Sequence, residues 1–159
     1  MRYLFGLLCV CALGVMPLVG CSETTGDGGT RGPSAWFWQN PLPQGNALLA
    51  VSFTDATTGT AVGVSGTIVR TTDGGTTWIT QRSGTTETLV DVSFTDANNG
   101  TAVGAAGTIV RTTDGGTTWE TQRGGAREWL YGVSFTDANN GTVVGGHGTI
   151  LRTTDGGGG

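Results

Sequence analysis

The fold is decided by Val51-Ser52-Phe53-Thr54-Asp55-Ala56, because the chain repeats this stretch twice without a change. The copies are Val92-Ser93-Phe94-Thr95-Asp96-Ala97 and Val133-Ser134-Phe135-Thr136-Asp137-Ala138. The repeats start at positions 51, 92 and 133, which gives two equal steps of 41 residues. A period of this length, built from short strand-like segments, is typical of one four-stranded blade of a β-propeller. We therefore predict an all-β fold of three four-stranded blades.

Turn residues divide each repeat into four strands, which we call a, b, c and d. In the first repeat they are expected at residues 48–55, 60–63, 67–72 and 76–82. The turn between strands a and b carries Asn-Gly in the second and third copies, and this pair favours a tight hairpin because it accepts positive φ angles. The segment around Trp36 to Asn40 has the spacing of a strand d, and the chain ends after a third strand c. This arrangement predicts that the two ends share one blade.

The hairpin between strands c and d contains Thr71-Thr72-Asp73-Gly74-Gly75-Thr76-Thr77-Trp78, which resembles an Asp box, Ser/Thr-x-Asp-x-Gly-x-x-Trp. The carboxylate can accept bonds from turn N–H groups, glycine allows positive φ, and the indole can pack over the hairpin. A metal-binding or acid-catalytic role for the repeated Asp is the alternative, and the structural clamp is favoured. No metal site and no cofactor are predicted. The clamp residues in the two complete boxes and the partial third box are Thr71, Asp73, Gly75, Trp78, Thr112, Asp114, Gly116, Trp119, Thr153, Asp155 and Gly157.

Taken as a whole, the repeat resembles the photosystem II stability/assembly factor-like family of Asp-box (BNR) propellers, over about residues 36–159. The resemblance implies a non-catalytic binding and assembly scaffold, although the family name does not establish a photosynthetic role. The chain departs from the family in its blade number, since closed propellers typically have four to eight blades. Three alternatives stay open: a fragment of a longer protein, two chains that together give six blades as a homo-oligomer, or an open stack of three.

The N-terminus has the features of an export signal. Arg2 precedes an apolar run over residues 3–19, and Leu18-Val19-Gly20-Cys21 resembles a bacterial lipoprotein signal. The resemblance implies lipidation of Cys21 and cleavage before it. An ordinary secretory signal or a single membrane span are the alternatives, but a span needs about 20 apolar residues. We predict a signal peptide (1–20), a flexible tether (21–34) and a propeller domain (35–159) in an exported, membrane-anchored lipoprotein on the periplasmic or cell-surface side.

Differences between the repeats indicate where a binding site would lie. They concentrate in the turn between strands b and c and in the connection from strand d to the next strand a, which share one face. Binding residues favour loops held by a rigid scaffold. One arginine in each strand c forms a second set, Arg70, Arg111 and Arg152, expected to bond the neighbouring blade or to grip a carboxylate-bearing partner. The candidate binding face comprises Arg82, Arg123, Arg127, Trp129, Tyr131 and His147.

The composition excludes some function classes. The net charge is −4, which argues against non-specific nucleic-acid binding, because such binding needs a basic surface. A sialidase-like glycoside hydrolase is the main catalytic rival, because such propellers also carry Asp boxes. Glycosidases need paired carboxylates, and the acids near the candidate face are few, chiefly Glu87 and Glu128. We therefore predict a protein that is not an enzyme, whose partner is a protein or, in a lectin-like alternative, a glycan.

Overall fold

The structure is a computed structural model that describes Trp36 and residues 44–158. Residues 44–158 lie within one compact unit. Signal peptide, tether and Cys21 fall outside the described residues, as does the predicted strand from Trp36 to Asn40 apart from Trp36 itself. The strands of the described part are β1 (Leu48–Phe53), β2 (Gly59–Gly63), β3 (Ile68–Thr71), β4 (Ile79–Gln81), β5 (Leu89–Phe94), β6 (Gly100–Gly104), β7 (Ile109–Thr112), β8 (Glu120–Thr121), β9 (Leu130–Phe135), β10 (Gly141–Gly145) and β11 (Ile150–Thr153).

These strands form three antiparallel sheets, each made from one sequence repeat. Blade 1 has the order β1-β2-β3-β4 and blade 2 has the order β5-β6-β7-β8. Blade 3 consists of β9, β10 and β11, with β10 in the middle. The predicted all-β propeller-blade fold is confirmed. Within the described range, no helix is long and apolar enough to cross a bilayer.

Local turn chemistry explains why each repeat folds into a hairpin stack. Asp55 follows β1, and its Oδ1 accepts the backbone N–H groups of Thr57 at 2.7 Å and Thr58 at 2.9 Å. Asp96 and Asp137 do the same in the later copies. A short polar side chain that binds the backbone ahead of it stabilises a turn that would otherwise compete with extended chain.

The turns lie on two opposite faces, as the strand order predicts. On one face, the Gly74 N–H donates to the Thr57 carbonyl at 2.8 Å, so the c–d turn is tied to the a–b turn. On the other face, the Ala105 N–H donates to the Thr88 carbonyl at 2.9 Å, so the b–c turn is tied to the d–a connection. The second face is called the loop face below.

The core lies between blades, because side chains of each blade pack against the next one. Val62 and Ile68 of blade 1 join Leu89 and Val92 of blade 2 in one buried cluster. A second cluster, between blades 2 and 3, contains Val103, Leu130 and Val143. Full burial of such a side chain stabilises the fold by about 1.5–3 kcal/mol. The blades therefore depend on their neighbours for most of their apolar burial.

One glycine per repeat leaves room for the aromatic ring of the repeated hexapeptide. A Cβ added at Gly100 would lie 2.4 Å from the ring of Phe94, which is closer than real Cβ atoms approach. Gly59 and Gly141 stand in the same relation to the rings of Phe53 and Phe135. The Phe of the repeated hexapeptide thus requires the glycine that follows it.

Candidate functional site

The first Asp box is a closed hydrogen-bonded ring around its turn. The Thr71 hydroxyl accepts the Gly75 N–H at 2.8 Å and donates to Asp73 Oδ1 at 2.7 Å. The Asp73 carboxylate also accepts the Thr77 N–H at 2.9 Å and the Thr77 hydroxyl at 2.6 Å. These donors, the Thr77 hydroxyl foremost, lower the pKa of Asp73 to about 2. The carboxylate is therefore a charged acceptor at neutral pH.

The other two boxes repeat this chemistry as far as they extend. Asp114 accepts the hydroxyls of Thr118 at 2.7 Å and Thr112 at 2.8 Å, and its pKa is lowered to about 2, chiefly by the Thr118 hydroxyl. Asp155 accepts the Thr153 hydroxyl at 2.7 Å, which is the main cause of its lowered pKa. A general acid needs a pKa near the working pH. These carboxylates hold turns and are poorly suited to donate protons.

The box tryptophans pack on the phenylalanines of their own blades. Trp78 meets Phe53 edge to face at a centroid distance of 6.2 Å, and Trp119 meets Phe94 at 5.9 Å. Trp119 also donates its indole N–H to Gln81 Oε1 of blade 1 at 3.2 Å. The same motif residue thus acts within a blade and also between blades.

Two of the three repeated arginines tie neighbouring blades together. Arg70 of blade 1 donates to the Ala97 carbonyl of blade 2 at 2.7 Å, and its guanidinium lies 5.4 Å from the centroid of the Phe94 ring. Arg111 of blade 2 donates to the carbonyls of Ala138 and Gly156 in blade 3. Arg152 occupies the same position in blade 3 and is exposed. Of the two roles expected for these arginines, the geometry of Arg70 and Arg111 matches the bond to a neighbouring blade. Their guanidinium groups are engaged by carbonyl groups of that blade.

Blade 3 carries a cluster of aromatic and charged side chains on the loop face, formed by Glu128, Trp129, Tyr131 and His147. The rings of Trp129 and Tyr131 are stacked, with centroids 6.4 Å apart and planes 24° apart. His147 Nδ1 lies 3.0 Å from Glu128 Oε2. The Gly146 N–H donates to the Trp129 carbonyl at 2.8 Å, which joins the two halves of the cluster through the backbone.

The turn that presents His147 places no demand on its side chain. His147 has a φ of 54°, and the equivalent turn positions in blades 1 and 2 are Ser65 at 55° and Ala106 at 53°. Since serine and alanine hold the same backbone conformation, the imidazole is not needed for the turn. Its contact with Glu128 is a property of blade 3 alone.

The six predicted face residues do not converge on one site. Trp129 and Tyr131 stack on each other, and the turn that carries His147 is joined to them through the backbone bond from Gly146 to Trp129. Arg82 lines a separate shallow groove on blade 1, and Arg123 lines a cavity of about 290 Å³ at blades 2 and 3. Arg127 is exposed beside the cluster in sequence. The face therefore offers one compact cluster and several dispersed cations.

Glu128 is the cluster member that the sequence-based list of face residues omits. Glu87 and Glu128 lie one repeat apart, so the sequence alone indicates the same surface role for both acids. Glu128 precedes blade 3, whose b–c turn carries His147, and the two side chains are in contact. Glu87 precedes blade 2, whose b–c turn carries Ala106 at the same position. The turn between strands b and c and the connection from strand d to strand a lie on the same face, so comparing them within one blade would have paired Glu128 with His147.

Throughout the described ranges, no three His, Cys, Asp or Glu side chains are grouped to hold a metal ion. The box carboxylates are engaged in their turns, and the Glu128 carboxylate contacts His147. What the cluster presents is an exposed aromatic pair beside an acid–imidazole pair, which suits recognition of a polar and aromatic surface.

Hairpins clamped by repeated Asp boxes, in separate antiparallel sheets of three or four strands that pack on one another, define the class of Asp-box β-propeller proteins. The family model described as "Photosynthesis system II assembly factor YCF48" matches residues 80–129. Among solved structures, one described as "YCF48 bound to D1 peptide" is 30% identical, with a TM-score of 0.65 over 73% of this chain. Another, YCF48 from Cyanidioschyzon merolae, is 25% identical, with a TM-score of 0.64 over 74% of this chain.

These findings confirm the resemblance to the photosystem II assembly factor-like family of Asp-box propellers. The chain covers 40% and 39% of the lengths of those two solved proteins. No match was found among curated proteins.

Proposed function

We propose that this chain is a non-catalytic, lipid-anchored scaffold that binds a protein partner on its loop face. The observation that carries the proposal is the stacked Trp129–Tyr131 pair, whose members are 46% and 57% exposed. Two aromatic rings of this size, held in place and left in contact with solvent, are characteristic of interface anchors. One of the similar solved proteins is described as bound to a peptide, which supports a protein partner.

The surroundings of the pair fit peptide recognition. Tyr and Trp present an apolar body together with a polar tip, so they bury area and still donate hydrogen bonds. Glu128 and His147 add an acceptor and a ring nitrogen at the edge of the same cluster. A partner that covers the rings would meet hydrogen-bonding groups at the rim, which is the usual plan of a protein interface.

The anchor is part of the proposal and rests on the sequence pattern at Cys21. Lipid chains contribute about 0.8 kcal/mol of membrane binding for each buried CH₂, so two or more chains would hold the protein stably. Replacing Cys21 with serine should abolish incorporation of labelled palmitate into the protein. Undiminished palmitate labelling of Cys21→Ser would contradict lipid anchoring without affecting the partner proposal.

The partner proposal is tested by measuring binding to a D1 peptide with the full chain and with the double variant Trp129→Ala/Tyr131→Ala. Loss of two anchors should weaken binding by tenfold or more, which corresponds to about 1.4 kcal/mol or more. Ile79→Ala is the matched control, because Ile79 is an apolar side chain that is 69% exposed on strand β4. Equal binding by the double variant and the full chain would refute the loop face as the site.

A glycan array screened with the same proteins tests the lectin-like alternative. Binding to sugars that depends on Trp129 and Tyr131, with no binding to peptide, would favour that alternative. We further propose that the chain forms a homo-oligomer, which is one of the three alternatives that the sequence leaves open.

A further inference from the structure

Both interfaces between blades are built from the same positions of the repeat. The residues at these positions on the two outer faces of the stack can therefore be compared with the residues at the interfaces. Each blade presents a leading face to the next blade and a trailing face to the previous one. On the leading faces, Val62 and Ile68 of blade 1 are fully buried, and Val103 of blade 2 is too. On the trailing faces, Leu89 of blade 2 and Leu130 of blade 3 are fully buried.

On the outer faces of the stack several of these positions are exposed, although Ala61 and Val69 on the trailing face of blade 1 are buried. On the leading face of blade 3, Val144 is 46% exposed and Ile150 is 72% exposed. On the trailing face of blade 1, Leu48, Val51 and Phe53 are 40%, 58% and 47% exposed. Every one of these residues has counterparts one repeat away that are packed between blades. The two outer faces are therefore the two halves of an interface that the chain already forms internally.

Polar groups on the two outer faces match in the same way. Between blades 1 and 2, Ser52 Oγ accepts the Phe94 N–H at 3.2 Å, and between blades 2 and 3, Ser93 Oγ accepts the Phe135 N–H at 3.3 Å. On the outer faces the corresponding groups are Ser134 and the backbone of Phe53.

Arg152 extends the match to the charged groups. Arg70 and Arg111 each donate to a carbonyl in the a–b turn of the next blade and cover the ring of its Phe. The equivalent acceptors on blade 1 are the Ala56 carbonyl and the Phe53 ring. Arg152 is exposed on the leading face of blade 3. The partner that Arg70 and Arg111 contact is a turn carbonyl beside an aromatic ring, and blade 1 offers both groups to Arg152.

We propose that a second copy of this chain docks head to tail, with its blade 1 on the leading face of blade 3. The inference rests on the proposed self-association and names the surface that carries it. The interface is heterologous, and two such contacts per dimer can close a ring. Two copies of three blades give six blades, which lies within the range of closed propellers.

The test is the mass of the full chain by sedimentation velocity in density-matched detergent, together with one variant on each outer face. Ile150→Glu places a charge on the leading face, and Val51→Glu places one on the trailing face. Both positions are exposed in the single chain, so each variant should fold, as circular dichroism will verify. We expect the unmodified chain to have twice the monomer mass and each variant alone to be monomeric.

Mixing the two variants provides the decisive result. In an equimolar mixture, the intact leading face of Val51→Glu can meet the intact trailing face of Ile150→Glu, so a dimer should return. Ile79→Glu is the matched control, because its counterpart Glu120 stays exposed in the middle blade and so lies outside both interfaces. This control should remain dimeric.

Three outcomes would overturn the proposal: a monomeric unmodified chain at every concentration, a dimer formed by either variant alone, or a mixture that stays monomeric. Binding of the D1 peptide to monomeric Ile150→Glu separates the two proposals. If the unmodified chain is also monomeric and Ile150→Glu binds the peptide, the loop-face scaffold is supported and the docking surface is refuted.

Discussion

Replacing Trp119 with alanine should lower the free energy of unfolding by about 3–5 kcal/mol. The side chain is 7% exposed, stacks edge to face on Phe94 at 5.9 Å and donates to Gln81 of the neighbouring blade. Truncation would open a cavity in the core between blades 1 and 2. It would also leave the Gln81 side chain without its donor, and both losses act in the same direction.

Trp78→Ala is the matched control, because Trp78 stands at the same position of the same motif. It packs on Phe53 with nearly the same geometry but is only half-buried, without a blade on its outer side in the described structure. Its truncation should cost roughly half as much, about 1.5–2.5 kcal/mol. The measurement is urea unfolding followed by circular dichroism, at a concentration where the chain is monomeric. Equal losses in the two variants would refute the claim that the contact between blades supplies the difference.

Three further changes test the turn clamps, the sheet packing and the arginines. The pKa of Asp114 is lowered in the folded state, so its stabilising contribution is complete above pH about 4 and is lost as the pH falls towards about 2. In Asp114→Asn, the free energy of unfolding should therefore depend less on pH in that window. Gly100→Ala should cost about 1–3 kcal/mol in urea unfolding, because its Cβ would overlap an aromatic ring, whereas Gly45→Ala, with open space around it, should change stability by less than about 0.5 kcal/mol. Arg111→Met should cost about 1.5–3 kcal/mol through its two lost carbonyl bonds, while Arg152→Met should leave the monomer's unfolding within about 0.5 kcal/mol.

Each of these expectations has an outcome that contradicts it. An unchanged acid limb in Asp114→Asn would mean that the carboxylate does not titrate with folding. Equal stabilities of Gly100→Ala and Gly45→Ala would show that the ring moves aside at no cost. An Arg152→Met monomer as destabilised as Arg111→Met would show that the arginine acts within its own blade.

Much of the fold could be predicted from the sequence because the decisive interactions are local. The Asp73 clamp closes between residues 71 and 77, and the Asp55 turn closes between residues 55 and 58. Such short-range hydrogen bonds appear as spaced residue types, so the repeat reveals both the hairpins and the sheet order. The candidate site was harder to predict, since the Glu128–His147 contact joins two loops that are 19 positions apart.

By itself, the sequence determined the blade, its turns and the period at which blades recur, because these depend on residues a few positions apart. The tertiary structure alone decided which copy of a repeated residue is buried, paired or free. Val51 and Val92 stand in identical hexapeptides, yet the first is 58% exposed and the second 6%. Arg111 and Arg152 likewise differ only in whether a blade lies against them. The physical reason is that apolar burial and the arginine bonds are contacts between blades, and a residue's own repeat carries no information about its neighbour.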